Sequence, residues 1–433
     1  MKPHAVEVRP GRIDGTVTAP PSKSQTHRAF LLAAQSVVPC TVQSPLLADD
    51  TRATLSCLLA LGARIHLDPD RPETVQFLPA SLRAPTQALD CRNSGTTLRI
   101  LSATAARLGQ PVTLTGDDSL RERPNGALHD ALRARGATVE SRDGKAPVTV
   151  RGPLRPGSVR LPAGSSSQYA SALLLSLPML AGPSILDVEA PVASAPYLEV
   201  TLDTARAFGL AIQRSADRFA MPGGSLPRAD AFTVEGDWSA AAFPLAAAAV
   251  TGGSVTVQGL RADSMQGDRA ILGHLQSFGA SLGPGDSLRG GPLHSPGVID
   301  VSQTPDLFPA LVAVAACARG TTTFTGGANL RHKESDRIAA MADGLSRLGA
   351  DVRETPDGLV VAGGQPLRGA TLASHGDHRV HMALCVAALA AQGPSTLDDP
   401  AAAAVSYPGF HADLAALGAD VRLLQGNRTV VSA

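Results

Sequence analysis

Apolar and amphipathic segments alternate along this chain with a period of about seventy residues. In each period a helical pattern of apolar positions stops at a glycine, and apolar and polar residues then alternate as they do in a strand. The glycines are Gly62, Gly136, Gly209, Gly279, Gly349 and Gly418. A glycine just past a helix end adopts the left-handed conformation that other residues avoid, so these regularly spaced stops predict a structural repeat.

A second, more apolar helix precedes each of these amphipathic helices and is predicted to be buried. Each buried helix starts at Ser or Asp, the residues preferred as N-caps. The predicted ranges are 22–34, 94–108, 165–180, 237–250, 306–318 and 377–391. Each repeat therefore reads as strand, buried helix, strand, amphipathic helix, strand, and the repeats form two groups of three with a break within 214–237. Because like elements of repeats pack alike, the N-termini of the buried helices in each group are expected to converge on one face.

The starts of the helices carry cations and small hydroxyl residues. The first buried helix follows Pro20-Pro21 and opens with Ser22, Lys23 and Ser24. Free backbone N–H groups and the helix dipole attract anions at such a point. Taken alone, each start is as typical of a capped surface helix as of an anion site. Jointly the starts favour an anion site, because cations recur at or near them along the chain. These cations are Lys23, Arg28, Arg99, Arg123, Lys333, Arg337 and Arg379.

The overall charge of the chain does not by itself attract anions, so any anion site must depend on a local group of cations. The 433 residues suffice for two or three domains, and a net charge of zero indicates no global attraction to nucleic acid or to a membrane. Lysine is scarce: among 38 basic residues the lysines are Lys2, Lys23, Lys145 and Lys333. Where arginine is the default cation, Lys23 and Lys333 inside motifs indicate a need for a compact charge or a transferable proton.

No disulfide framework, metal centre or nucleotide cofactor is expected. The five cysteines are far apart and form no Cys-x-x-Cys pair, which favours reduced thiols. His375, His378 and His381 stand three residues apart, but no carboxylate or cysteine cluster completes a metal shell around them. Neither a P-loop nor a Gly-x-Gly-x-x-Gly motif occurs. Without an apolar signal core at its start or an apolar run of about 20 residues, the chain is expected to be cytoplasmic.

The motifs at the helix starts together resemble the enolpyruvyl transferases, and within them the members that act on shikimate 3-phosphate. The resemblance covers nearly the whole chain and rests on Ser22-Lys23-Ser24 with Arg28, Asn93-Ser94-Gly95-Thr96 with Arg99, Arg123-Pro124, Ser166-Ser167-Gln168, Asp306, Lys333-Glu334-Ser335-Asp336-Arg337 and Asp377-His378-Arg379. It implies an α/β fold, a two-domain inverse α/β prism with three repeats per domain and mixed sheets around buried parallel helices. The implied domains are 19–236, and 1–18 with 237–433, joined by a hinge of two crossovers.

The resemblance also implies a reaction: transfer of the enolpyruvyl group of phosphoenolpyruvate to the 5-hydroxyl of shikimate 3-phosphate, with release of phosphate through a tetrahedral intermediate. The shikimate 3-phosphate ligands would be Lys23, Ser24, Arg28, Ser166, Ser167, Gln168, Ser194, Asp306, Asn329 and Lys333. The phosphoenolpyruvate ligands would be Lys23, Gly95, Arg123, Gln168, Arg337 and Arg379. Catalytic roles would fall to Asp306 as base, Glu334 as proton donor, Lys23 as a second acid or base, and His378. Gly95 stands where glyphosate-insensitive members often carry Ala, so competition between glyphosate and phosphoenolpyruvate is expected.

Two alternatives remain open from the sequence. The related transferase acting on UDP-N-acetylglucosamine usually carries a reactive cysteine in the loop that corresponds to 116–121, where this chain has none. A non-catalytic binding protein of the same fold gains weight from Val405, because the family usually has lysine there. The expected partners are the two small-molecule substrates, with no nucleic acid, no membrane and a monomeric state.

Overall fold

The computed structural model describes residues 3–425 and 428–430. The chain divides into two compact units. We call the unit from Pro21 to Glu235 the N-unit, and the unit that combines the residues up to Pro20 with those from Gly236 onward the C-unit. Each unit has a hydrophobic core of its own, built mainly from its apolar helices and the inward faces of its strands.

Apart from the short α4, the α-helices alternate between buried and amphipathic members along the chain. They are α1 (Lys23–Ala33), α2 (Asp49–Ala60), α3 (Gly95–Ala105), α4 (Asp118–Glu122), α5 (Gly126–Ala134), α6 (Ser167–Leu174), α7 (Pro196–Ala207), α8 (Trp238–Thr251), α9 (Ile271–Ser277), α10 (Phe308–Cys317), α11 (Arg337–Arg347), α12 (His378–Leu389) and α13 (Phe410–Ala416).

The strands are short and lie between these helices. They are β1 (Ala5–Val8), β2 (Asp14–Thr18), β3 (Cys40–Gln43), β4 (Arg64–Leu67), β5 (Thr74–Leu78), β6 (Leu89–Asp90), β7 (Val112–Thr115), β8 (Thr138–Arg142), β9 (Lys145–Arg151), β10 (Gly157–Leu161), β11 (Ser184–Val188), β12 (Gln213–Ser215), β13 (Arg218–Met221), β14 (Ala231–Thr233), β15 (Ser254–Gln258), β16 (Ser281–Leu282), β17 (Ser287–Arg289), β18 (Val298–Asp300), β19 (Gly320–Thr325), β20 (Asp351–Thr355), β21 (Gly358–Gly363), β22 (Thr371–Leu372), β23 (Ser395–Asp398), β24 (Val421–Gln425) and β25 (Arg428–Val430).

Each repeat contributes to a mixed sheet, with the order β6-β7-β9-β8 as the pattern. The first two strands of this sheet are parallel and flank the buried helix, while β7 and β8 both pair with β9 in antiparallel fashion. The prediction of three strands per repeat was therefore wrong by one strand. The stretch after the amphipathic helix is a hairpin, and at its turn Asp143 and Gly144 have φ values of 54° and 70°. Such an Asp-Gly pair is a strong hairpin signal in the sequence.

Strands at the two crossovers complete sheets that begin elsewhere in the sequence. β2, which directly precedes α1, pairs in parallel with β15 of the C-unit. β14, which directly precedes α8, pairs in parallel with β3 of the N-unit. β1 lies between β23 and β24 and is antiparallel to both. Each crossover strand thus takes the place that the first strand of a repeat holds in the other sheets.

The predicted helix stops are confirmed at every copy. All the glycines named above as stops have positive φ, from 75° at Gly209 to 108° at Gly279. The residue after each glycine donates its backbone N–H to a carbonyl five positions earlier, as Ala137 does to Leu132 at 3.1 Å. This is the bond of the Schellman motif, which satisfies the last carbonyls of a helix and requires the left-handed residue.

The buried helices occur where they were predicted, with two corrections at their starts. Ser166 rather than Ser165 caps α6, and its side chain accepts from the backbone of Gln168. Asp306 is not an N-cap, because it lies in a short 3-10 turn, Pro305–Leu307, and α10 begins only at Phe308. Its carboxylate is directed instead to cations of the following amphipathic segment. No helix in the described part of the chain is long and apolar enough to cross a membrane.

Candidate active site

In the N-unit, the start of α1 places an ammonium group beside a carboxylate. Ser22 caps the helix by accepting from the backbone of Gln25, so the next residue, Lys23, lies on the first turn. Its Nζ lies 3.0 Å from Asp50 Oδ2, and both side chains are largely buried. Asp50, in the first turn of α2, was not identified from the sequence, where nothing distinguishes it from the adjacent Asp49. The pair fixes the position of the Lys23 charge at the helix start.

Arg28 lies one turn further along α1 and is almost fully buried. Its Nε donates to Thr201 Oγ1 at 2.8 Å, its Nη1 to the Ser24 carbonyl at 2.8 Å and its Nη2 to Ser171 Oγ at 3.1 Å. Burial lowers the pKa of the guanidinium to about 10. Arg28 therefore ties α1 to α6 and α7 and brings their starts together.

The starts of α3 and α6 meet through a second arginine. Arg99 donates from Nη1 to Gln168 Oε1 at 2.5 Å and from Nε to Asn125 Oδ1 at 2.8 Å. Arg123 donates from Nη2 to Asn93 Oδ1 at 2.5 Å, and its buried Nε has no hydrogen-bond partner among the described residues. Gly95 lies between these two guanidinium groups. A Cβ at Gly95 would come within 2.9 Å of Arg99 Nη1 and 3.4 Å of Arg123 Nη1.

The serines predicted as ligands lie at the same helix starts. Ser166 and Ser167 form the cap and first residue of α6, and Ser167 is buried. Ser194 is also buried and has φ of 58°, a left-handed conformation that is uncommon for a residue with a side chain. It lies two residues before the first residue of α7, and its carbonyl accepts from the Tyr197 backbone at 3.1 Å. The N-unit therefore presents hydroxyls, an amide and three arginines together, as the convergence of helix starts predicts.

In the C-unit, Arg337 lies at the centre of a carboxylate cluster. Its side chain is only 1% exposed. Nε contacts Asp377 Oδ2, Nη1 contacts Asp306 Oδ1 and Nη2 contacts Glu334 Oε2, at 2.8, 2.9 and 2.8 Å. Burial by itself would lower the pKa of the guanidinium, but Asp377, Glu334 and Asp306 raise it above its ordinary value. One buried cation thus connects the starts of α10, α11 and α12.

Asp306 faces two further cations. Lys333 Nζ lies 3.7 Å from Oδ1, and Arg379 Nη2 lies 3.2 Å from Oδ2. Burial is the main cause that lowers the pKa of Lys333, with Asp306 opposing it. Three cations therefore surround the carboxylate of Asp306. Its side chain is still about 15% exposed, so a small molecule can reach it.

The remaining predicted residues of the C-unit lie at the edges of this cluster. His378 is buried at the start of α12, with Nδ1 3.9 Å from Asp377 Oδ1. Asn329 lies in the 3-10 turn Ala328–His332, and its Oδ1 is buried with no hydrogen-bond partner among the described residues. Every predicted site residue of the C-unit therefore belongs to one of three neighbouring segments: the start of α10, the approach to α11 or the start of α12.

A residue of the fourth repeat joins the C-unit cluster without having been identified from the sequence. Asp268 is buried and accepts a hydrogen bond from Ser239 Oγ at the start of α8. The pKa of its carboxyl is raised to about 7, chiefly by burial and next by the nearby Asp306, while Arg379 opposes the shift. No cation marks the start of α8, so the sequence there predicts only a helix cap.

The comparisons with known proteins bear on this arrangement of cations and carboxylates. A family model for EPSP synthase (3-phosphoshikimate 1-carboxyvinyltransferase) matches residues 8–414. The chain belongs to the EPSP synthase family. The 3-phosphoshikimate 1-carboxyvinyltransferase of Methanothrix thermoacetophila is 45% identical over 429 residues, which cover 96% of this chain and 99% of that protein. The enzyme of the same name from Halobacterium salinarum is 41% identical over 426 residues, covering 95% and 98%.

A solved structure supports the same family. EPSP synthase from Acinetobacter baumannii matches with a TM-score of 0.79 at 28% identity, covering 97% of this chain and 100% of that one. The predicted fold class and the resemblance to enolpyruvyl transferases that act on shikimate 3-phosphate are thereby confirmed. Membership of the EPSP synthase family does not favour the alternative specificity for UDP-N-acetylglucosamine.

Proposed function

We propose that this chain transfers the enolpyruvyl group of phosphoenolpyruvate to the 5-hydroxyl of shikimate 3-phosphate and releases phosphate. The observation that carries the proposal is the Asp306 carboxylate, partly exposed among Lys333, Arg337 and Arg379 at the starts of three helix segments. Both substrates are polyanions, and binding them requires many cations and helix N-termini. The EPSP synthase family identifies which polyanions these are.

From the resemblance to the family, we assign to shikimate 3-phosphate the ligands Lys23, Ser24, Arg28, Ser166, Ser167, Gln168, Ser194, Asp306, Asn329 and Lys333. The contacts of Arg28 with Thr201 and Ser171 hold its guanidinium in place before the substrate arrives. Such preorganisation reduces the ordering cost that binding would otherwise carry.

Phosphoenolpyruvate is assigned to cations at helix starts, together with Gly95 and Gln168. We assign it to Lys23, Gly95, Arg123, Gln168, Arg337 and Arg379. The buried Nε of Arg123 has no hydrogen-bond partner among the described residues, and a buried charged donor of this kind favours an anion. Arg337 is bonded to three carboxylates, so its part in binding is mainly to position Asp306 and Glu334.

Proton transfers follow from the same residues. The oxygen of the 5-hydroxyl bonds to the central carbon of phosphoenolpyruvate while Asp306 accepts the proton of that hydroxyl. Glu334 donates a proton to the methylene carbon. The tetrahedral intermediate then loses a proton from the new methyl group to Glu334 and expels phosphate. We assign Lys23 to the bridging oxygen as a second acid or base, and His378 to a polar role beside Asp377. General acid–base help of this kind contributes about 10² to 10⁴ in rate.

The direct test is phosphate release from phosphoenolpyruvate with shikimate 3-phosphate or UDP-N-acetylglucosamine as acceptor. Turnover is expected with shikimate 3-phosphate as acceptor and not with UDP-N-acetylglucosamine. Turnover with the nucleotide sugar would show the alternative specificity, and no turnover with either would support a non-catalytic binding protein. A monomeric state and a cytoplasmic location are part of the proposal, and gel filtration checks the first.

Gly95→Ala is expected to raise the inhibition constant of glyphosate by about tenfold and the KM for phosphoenolpyruvate by less. The added Cβ meets Arg99 Nη1, which Gln168 holds in place. Glyphosate is the longer molecule and has less room to shift. Inhibition kinetics measure both constants, and Gly126→Ala, which would meet no atom within 4 Å, is the matched control. Equal changes in both constants would contradict the steric argument.

Val405→Lys is expected to lower the KM for phosphoenolpyruvate by about ten- to a hundredfold, because a charge-assisted hydrogen bond contributes roughly 1.5 to 3 kcal/mol. Val405 ends the 3-10 turn Pro400–Val405, which packs against α12. The next cation downstream, Arg422, is paired with Asp420 at 2.7 Å. Val405→Met adds length without charge and serves as the control. If Met and Lys act alike, the missing charge is not what weakens this site.

A further inference from the structure

A cluster of nitrogen and sulfur atoms lies in the C-unit apart from the residues assigned to the substrates. His381 and Cys385 are four residues apart on α12 and so lie on one face of the helix. His411 approaches them from the first turn of α13. The two Nε2 atoms are 2.9 Å apart, and Cys385 Sγ lies 3.7 Å from His381 Nε2. All three potential ligand atoms lie within 4.8 Å of one another.

We propose that His381, Cys385 and His411 bind one Zn²⁺ ion, which joins α12 to α13. The sequence alone predicted no metal site, because the only visible histidine series was His375, His378 and His381. That prediction considered neighbours along α12 and not the residue that the fold brings to His381 from 30 positions away. The proposal concerns a structural site and is independent of the assigned reaction.

The distances suit a tetrahedral ion after small shifts. Zn²⁺ binds imidazole nitrogen at about 2.0–2.1 Å and thiolate sulfur at about 2.3 Å, which separates two nitrogens by roughly 3.3 Å and nitrogen from sulfur by roughly 3.5 Å. The observed nitrogen–sulfur distance of 3.7 Å is close to this value. The two imidazoles need to move apart by a few tenths of an ångström. Rotation of the Cys385 side chain would bring its Sγ closer to His411 Nε2, which lies within 4.8 Å of it.

The donor set and its surroundings favour a borderline-soft ion. Two imidazoles and a thiol suit zinc, whereas magnesium and calcium prefer oxygen ligands. His381 and Cys385 are fully buried and His411 is partly exposed, and a water would be the fourth ligand. On binding, the Cys385 thiol loses its proton to solvent and the Zn–S bond forms.

The consequence is a link between the candidate active site and the C-terminal helix. His381 lies one turn after His378, and α12 carries Arg379 at its start. An ion on His381 and His411 would hold this start against the segment that ends at Val405 and leads into α13. The metal-free alternative is a hydrogen bond between two neutral imidazoles, one donating and the other accepting.

The test is a metal titration of the chelator-treated full chain. Cobalt(II) is added first, because a thiolate ligand produces a charge-transfer band that imidazoles alone do not, and Zn²⁺ is then titrated against a colorimetric chelator. One equivalent of each ion is expected to bind, and zinc is expected to raise Tm by about 5 to 10 °C at a hundredfold excess over its Kd.

Variants locate the ions within the chain. Cys385→Ala should abolish the cobalt band, and His411→Ala should weaken zinc binding at least a hundredfold. His411 is partly exposed, so its variant is expected to fold even if the Cys385 variant does not. Cys317→Ala, at a cysteine outside the cluster, is the matched control and should bind as the unaltered chain does. Absence of stoichiometric binding, or unchanged binding by His411→Ala, would overturn the proposal.

Discussion

Arg337→Met is expected to lower the free energy of unfolding of the C-unit by about 3–5 kcal/mol. Methionine fills much of the same volume but removes the charge that Asp377, Asp306 and Glu334 share. Asp377 is fully buried, so its carboxylate would stay inside the protein without its main counter-charge. Removing one partner of a buried ion pair lowers the stability far more than replacing both partners with apolar residues does.

Urea unfolding followed by tryptophan fluorescence measures this change in the correct unit. The sequence contains a single tryptophan, Trp238, which is buried in the C-unit core at the start of α8. Arg347→Met is the control on the same helix. Arg347 pairs with Asp343 at 2.8 Å on the surface, and its loss is expected to cost less than about 1 kcal/mol. Equal losses in the two variants would show that Arg337 is not the organising cation of the cluster.

Asp306→Asn is expected to lower kcat by about 10² to 10⁴ while the Kd for shikimate 3-phosphate changes much less. The amide keeps the shape and the ability to accept from Arg337, but it cannot take the proton of the 5-hydroxyl. Steady-state phosphate release gives kcat, and binding of shikimate 3-phosphate alone gives Kd. The prediction separates a base from a residue that only holds substrate.

The control for this variant is Asp300→Asn. Asp300 lies at the end of β18 in the same repeat, is exposed, and accepts from the Ser302 backbone at 2.8 Å. Its substitution is expected to leave kcat unchanged. Trp238 fluorescence verifies that the Asp306 variant is folded, since the change also leaves Lys333, Arg337 and Arg379 with less counter-charge. A kcat for Asp306→Asn within threefold of the unaltered value would rule out the role of base.

The sequence by itself determined the repeat and the family. The glycine stops were visible because a Schellman motif depends on one residue in the left-handed conformation and on apolar positions one turn before it. The caps at Ser22, Ser94 and Asp377 follow from equally local chemistry. Convergence of the helix starts followed from repetition, and the motifs at those starts identified the family before any contact was known.

The tertiary structure decided which residues pair across long stretches of chain. Asp306 reads as an N-cap, but its carboxylate is directed to Arg337, 31 positions away. The Lys23–Asp50 pair joins two helices, and β2 enters the sheet of β15 rather than that of β3. His381 meets His411 in the same way. Caps and stops depend on neighbours within one turn, whereas these partners depend on packing between elements, which no local pattern of residues encodes.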